Sequence, residues 1–76
     1  MVDEAEQLLL DLGFRQVRVR HHETLARIEI TEDQFPKIME KEIRERISAR
    51  LKEIGFTYVS LDLTGYRTGS MNETLK

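Results

Sequence analysis

Seventy-six residues are enough for one small domain with a thin core, and the absence of cysteine excludes a disulfide scaffold, a thiolate metal site and a thiol nucleophile supplied by this chain. Twelve lysines and arginines against fourteen aspartates and glutamates leave a formal charge of −2, which excludes a uniformly basic nucleic-acid binder and confines any anion site to a local cluster. No apolar run approaches the roughly 20 residues a membrane span needs, and the acidic start MVDEAEQLLL is unlike a signal peptide, so the expectation is a soluble, cytoplasmic protein with no membrane partner.

Asp3 and Glu6 have the spacing of a capping box, and Ala5, Leu8, Leu9 and Leu12 then repeat at helical intervals. The spacing predicts a first helix over about 4–12 with Gly13 as its stop. The next stretch, Phe14 to Ile30, reads FRQVRVRHHETLARIEI. Val17 and Val19 alternate with Arg18 and Arg20, and Ala26, Ile28 and Ile30 alternate with Arg27 and Glu29, which is the strand period of two with one apolar and one charged face. A hairpin is expected, with strands near 15–21 and 25–30 and a turn over His21–Thr24. If its apolar face packs on helices, Arg18, Arg20, His22, Arg27 and Glu29 share the open face, where fixed positive charges can hold an anion such as phosphate. The plain alternative is a solvated strand face. His21 and His22 are adjacent, so on a strand they point to opposite faces and read as a polar turn rather than a metal pair.

Thr31 and Gln34 offer a second capping box, but Pro36 sits too deep for an unbroken helix. A short helical turn over about 32–39 should lead into a longer helix over about 41–54, burying Ile43, Ile47, Leu51 and Ile54, with Phe35, Ile38 and Met39 sealing the entry. Glu40 and Arg44, and Glu42 and Arg46, are four apart on the other side; such pairs are worth about 0.3–0.5 kcal/mol each and mark a solvated face. After Gly55, TYVSLDL alternates as a third strand with Val59, Leu61 and Leu63 inward and Tyr58, Ser60 and Asp62 outward.

Leu12-Gly13-Phe14-x-x-Val17-x-Val19 and Ile54-Gly55-Phe56-x-x-Val59-x-Leu61 match in register, so a helix-Gly-Phe-strand unit occurs twice. The order α-β-β-α-β makes residues 1–63 a single α+β domain, a three-stranded mixed sheet with two helices on one face, as in a ferredoxin-like unit lacking its first strand. Residues 64–76 form a Gly/polar tail, either an ordered loop or a disordered terminus. Its glycines, Thr68 and Ser70 suit an anion-cradling turn but lack the lysine and following helix of a Walker motif, while Tyr66 and Arg67 follow the third strand closely, where either can support the arginine pocket or simply pack the tail. The uncovered sheet face argues for a partner, either the rest of a larger protein or further copies in a homo-oligomer.

Three stretches, LGFRQVRVRHH, LARIEI and GFTYVSLDLTGYRTGSMNE, together resemble the C-terminal region of the LarE-type PP-loop ATP-dependent sacrificial sulfur transferases. GYRTGSMNE is the most specific, and the likeness runs in order across nearly all 76 residues. In that family an N-terminal domain carries an S-G-G-x-D-S loop that binds ATP and adenylates a carboxylate, and a cysteine supplies the sulfur. This chain has neither, so the resemblance implies a non-catalytic accessory domain that acts with a PP-loop ATPase partner and is no enzyme on its own. Carried over residue by residue, Arg18 and Arg20 match the family's phosphate-holding arginine pair, and Glu29 and Glu6 match acidic residues tied to its active region and metal binding. Glu32 and Asp33 are the nearest candidates for a further acid. The resulting expectations are phosphate, pyrophosphate or AMP at Arg18, Arg20 and Arg67, and a divalent metal at Glu29 and Glu6. Pairing of Glu29 with Arg27 or Arg18 is the alternative to metal ligation. The alternative for the whole chain is a small structural module that self-associates through its open sheet and binds no nucleotide.

Overall fold

The computed structural model describes residues 1–66. Helix α1 (Val2–Asp11) is followed by the hairpin of β1 (Arg18–His22) and β2 (Leu25–Glu29). A single 3-10 turn, Glu32–Gln34, runs into the short helix α2 (Phe35–Ile38), and helix α3 (Lys41–Ile54) leads to β3 (Tyr58–Leu61). The sheet order is β1-β2-β3, antiparallel in the hairpin and parallel between β2 and β3. Because β2 and β3 are direct neighbours, α3 is the crossover of a βαβ unit, and the place of the first ferredoxin-like strand is closed rather than left vacant.

Both helices end in the same way. The Gly13 and Phe14 amides donate to the Leu10 and Leu9 carbonyls at 3.0 Å each, and the Gly55 and Phe56 amides donate to the Lys52 and Leu51 carbonyls at 3.2 and 3.1 Å. Each is the paired bonding of a Schellman motif, and both glycines hold the positive φ it requires. The phenylalanine that follows each glycine is 2% exposed and anchors its helix to the sheet. The repeated Leu/Ile-Gly-Phe therefore turns both chains back onto one face, where Leu9, Ile28, Ile30 and Leu51 complete the core. Ile47 and Leu51 are the buried centre of the α3 stripe, with Ile43 and Ile54 half-buried beside them.

Several local expectations are corrected. The Asp3–Glu6 capping box does not form: α1 begins after Met1 without a side-chain cap, and Glu6 points across to the sheet. β1 starts at Arg18 because Gln16 takes a positive φ of 52° that breaks the extended backbone. His21 is a strand residue, edge-on to Phe56 with ring centroids 5.3 Å apart, and the turn is only Glu23-Thr24, with positive φ at Glu23. Pro36 is tolerated at the first turn of α2, where its missing amide donor removes no helical bond. Neither Glu40–Arg44 nor Glu42–Arg46 closes among the described residues; Glu40 sits off the helix as the extended N-cap of α3. Leu63 is 81% exposed because Asp62 ends the strand in an Asx turn, its Oδ1 accepting from the Thr64 amide at 2.8 Å.

Gln34, expected to cap a helix, is instead a buried clip. Its Oε1 accepts from the Arg15 amide at 2.8 Å, and its Nε2 donates to the Arg15 carbonyl at 2.6 Å and to Thr31 Oγ1 at 2.8 Å. The clip pins the irregular segment before β1 to the turn after β2. Next to it, a hydrogen bond from Thr31 holds the Asp33 carboxyl below its usual value of 3.8, with the Arg15 guanidinium at 2.9 Å acting in the same direction.

Replacing Gln34 by Ala should lower unfolding free energy by about 1–3 kcal/mol in urea titrations, because three bonds at one buried amide are lost together. Asp33 is a group with a depressed folded-state pKa, so its contribution is present above 3.8 and is lost as pH falls through that region. Asp33→Asn should therefore be less stable than the parent at neutral pH, with the two stability curves converging on the acid side; parallel curves would show that the Thr31 and Arg15 contacts contribute nothing.

Candidate functional site

The strand period sorts the sheet as expected. Val19, Ala26 and Ile28 are buried under the helices, while Arg18, Arg20 and His22 of β1, Arg27 and Glu29 of β2, and Tyr58 and Ser60 of β3 occupy the open face. The register sets Arg20 directly opposite Arg27, a like-charge pair that would be repulsive if left alone. Glu29 divides them. Its Oε1 takes Arg20 Nε at 3.4 Å and its Oε2 takes Arg27 Nη2 at 3.1 Å, with the carboxylate side chain 13% exposed. Arg27 Nε also lies 3.5 Å from Asp62 Oδ2, within ion-pair range but without hydrogen-bond geometry, so that buried nitrogen has no hydrogen-bond partner among the described residues. Ser60 Oγ donates to the Ala26 carbonyl at 3.0 Å and fastens β3 beside this cluster.

Arg20, Glu29, Arg27 and Asp62 thus form a neutral chain of two positive and two negative groups. Arg18 stands outside it. Though it faces Glu29 in the register, Arg18 makes no ion pair among the described residues and stacks instead over the Tyr66 ring, 5.9 Å from its centroid. Tyr66 is held there by its own amide, which donates to the Ile30 carbonyl at 2.7 Å, and by the positive φ of Gly65. A Cβ on Gly65 would stand 3.0 Å from that same backbone carbonyl. The open face therefore carries one guanidinium in excess of its carboxylates, flanked by Arg20, whose single 3.4 Å contact leaves its terminal nitrogens unpaired among the described residues.

The carboxylates named from the sequence lie apart in role. Glu29 braces two arginines, and Glu6 accepts from the Val19 amide at 2.9 Å on the outer edge of β1. Arg67 lies outside the described residues. Sequence reasoning placed Asp62 and Ser60 on this face but not their partners, and it missed the Gly65 contact that seats Tyr66. Among the described residues, no helix is long and apolar enough to cross a membrane.

No protein-family model matches the chain. It is 45% identical over 71 residues to the pyridinium-3,5-bisthiocarboxylic acid mononucleotide synthase of Lactiplantibacillus plantarum. It is also 39% identical over 74 residues to an uncharacterized protein of Synechocystis sp.. These alignments take in 93% and 97% of this chain but 25% and 28% of the relatives, so the chain spans about a quarter of the length of the curated relatives it matches.

Glu29→Gln should destabilise the domain by about 1–2 kcal/mol in thermal or urea melts, because Arg20 and Arg27 are then left facing each other. Adding Arg27→Met to that variant should recover part of the loss; a double variant no better than the single would refute the bracing role. Gly65→Ala should cost about 1–3 kcal/mol by straining a positive-φ position against the Ile30 carbonyl, and should move the Arg18 side-chain resonances as Tyr66 is displaced.

Proposed function

Starting from a chain that resembles the C-terminal region of the LarE-type PP-loop ATP-dependent sulfur transferases, we propose an accessory domain that holds a phosphate-bearing anion for an ATP-binding partner domain. It carries out no covalent step by itself, since it offers neither a cysteine nor an S-G-G-x-D-S loop. The observation that carries this reading is the unbalanced guanidinium of Arg18 on an exposed sheet face, beside the partly engaged Arg20. Two such groups suit the oxygens of phosphate, pyrophosphate or the phosphate of AMP, because a guanidinium donates two parallel bonds to a tetrahedral anion. Tyr66 keeps Arg18 in place with its ring face, and Arg67, its neighbour in sequence, belongs to the same proposed pocket. The Lactiplantibacillus relative is named for making a mononucleotide, a product that carries a phosphate, which fits an anion of this kind.

The Glu29 brace serves this role by fixing the direction of Arg20 before any ligand arrives, which lowers the ordering cost of binding. Being exposed, the site should be sensitive to ionic strength. Titrating pyrophosphate or AMP while following amide and guanidinium resonances should shift Arg18, Arg20 and Arg67. Loss of one charge-assisted contact in Arg18→Ala should weaken binding roughly tenfold or more without altering the fold. Absence of any shift at millimolar ligand would dismiss the anion site.

A further inference from the structure

The two edges of the sheet are finished differently. On β1 the outward Val19 amide is taken by Glu6 Oε2 at 2.9 Å, so a side chain of α1 caps that edge at one point. On β3 the amides of Tyr58 and Asp62 turn inward, donating to the Thr24 carbonyl at 3.2 Å and the Ile28 carbonyl at 2.9 Å. Strand alternation then aims the amides and carbonyls of Val59 and Leu61 away from β2, where the sheet has no further strand among the described residues. Tyr58–Leu61 contains no proline or lysine and pairs without a bulge, so among the described residues its four-residue length is the one protection this edge carries. Alongside runs an apolar groove of about 430 Å³ between β3 and α3, with Ile38, Met39, Val59 and Leu61 in its lining and Arg44 and Glu45 on α3. Met39 is 54% exposed there.

The edge is also symmetric in chemistry about Ser60. Val59 and Leu61 flank it with apolar side chains on the groove side, and Tyr58 and Asp62 follow with polar ones on the open side. We propose that two copies of this chain pair antiparallel through β3 about a two-fold axis at Ser60, merging their sheets into one. In that register Val59 of each copy exchanges both outward backbone bonds with Leu61 of the other, and Tyr58 stands opposite Asp62. Each groove faces its counterpart across the axis, Met39 becomes covered, and Arg44 and Glu45 supply each wall with both signs of charge. A slip of one residue would set apolar side chains against polar ones, and a slip of two would pair only one of Val59 and Leu61, so the register centred on Ser60 makes the most backbone bonds. The anion site is on the open face and takes no part in this pairing.

Sedimentation equilibrium of the 76-residue chain should show a monomer–dimer equilibrium. Met39→Glu should raise the dissociation constant at least about tenfold by burying a charge in the groove. Val59→Pro removes an amide that makes no bond within its own sheet, the kind of site where an edge strand accepts proline. It should yield a monomer with an unchanged circular dichroism spectrum. Ser60 residues meeting at the axis would form a non-hydrogen-bonded pair with Cα atoms roughly 4.5 Å apart, within disulfide range. Because the chain has no cysteine of its own, Ser60→Cys should oxidise to a covalent dimer much faster than the exposed control Glu53→Cys. Equal oxidation of the two cysteine variants together with a monomer at millimolar concentration would overturn the proposal, as would a dimer that survives both Met39→Glu and Val59→Pro.

Discussion

A sheet covered by helices on one side only must make its other side stable without a core. Here the open side is charged, and the hairpin register places Arg20 directly against Arg27, so the arrangement depends on a carboxylate between them. Glu29 supplies it, with one oxygen for each guanidinium, and Asp62 flanks Arg27 from the next strand. The consequence is functional as well as structural. Once two arginines are balanced by two acids, the net positive charge of the face is concentrated at Arg18, which rests on Tyr66 and makes no ion pair among the described residues.

The one-sided sheet follows from the way each helix is ended. Phe14 and Phe56 both donate an amide to the carbonyl five residues back, closing the same motif after Gly13 and Gly55, and both rings are buried in the same core. Repeating one local device twice sends β1 and β3 away from the same helical layer. β2 then lies between them, antiparallel to one and parallel to the other. The edges differ because the helices sit unequally over them: α1 places Glu6 on the β1 edge, whereas α3 leaves the outward amides of β3 without a partner among the described residues and a groove beside them.

Residues beyond the third strand belong to the same body as far as Tyr66. Asp62 turns the chain through its side-chain bond to the Thr64 amide, Gly65 approaches the Ile30 carbonyl, and Tyr66 donates to it. A leucine that would continue the strand pattern, Leu63, is turned out to solvent by that same turn. The Gln34 clip does comparable work at the other end of the hairpin, holding Arg15 where Gln16 departs from extended geometry.

The sequence by itself determined the element order, the helix stops, the core stripe of α3 and the membership of the open face, because each is written in side-chain periodicity or in a glycine within a few residues along the chain. The tertiary structure alone decided who pairs with whom. Glu29 meets Arg20 and Arg27 rather than Arg18, Glu6 binds a strand amide rather than its own helix, and Gln34 serves Arg15 nineteen residues away. β2 and β3 lie side by side with no strand between them. Those choices depend on a two-residue turn and on the docking of distant elements, and a pattern read along the chain carries no information about the distance between groups that only folding brings together.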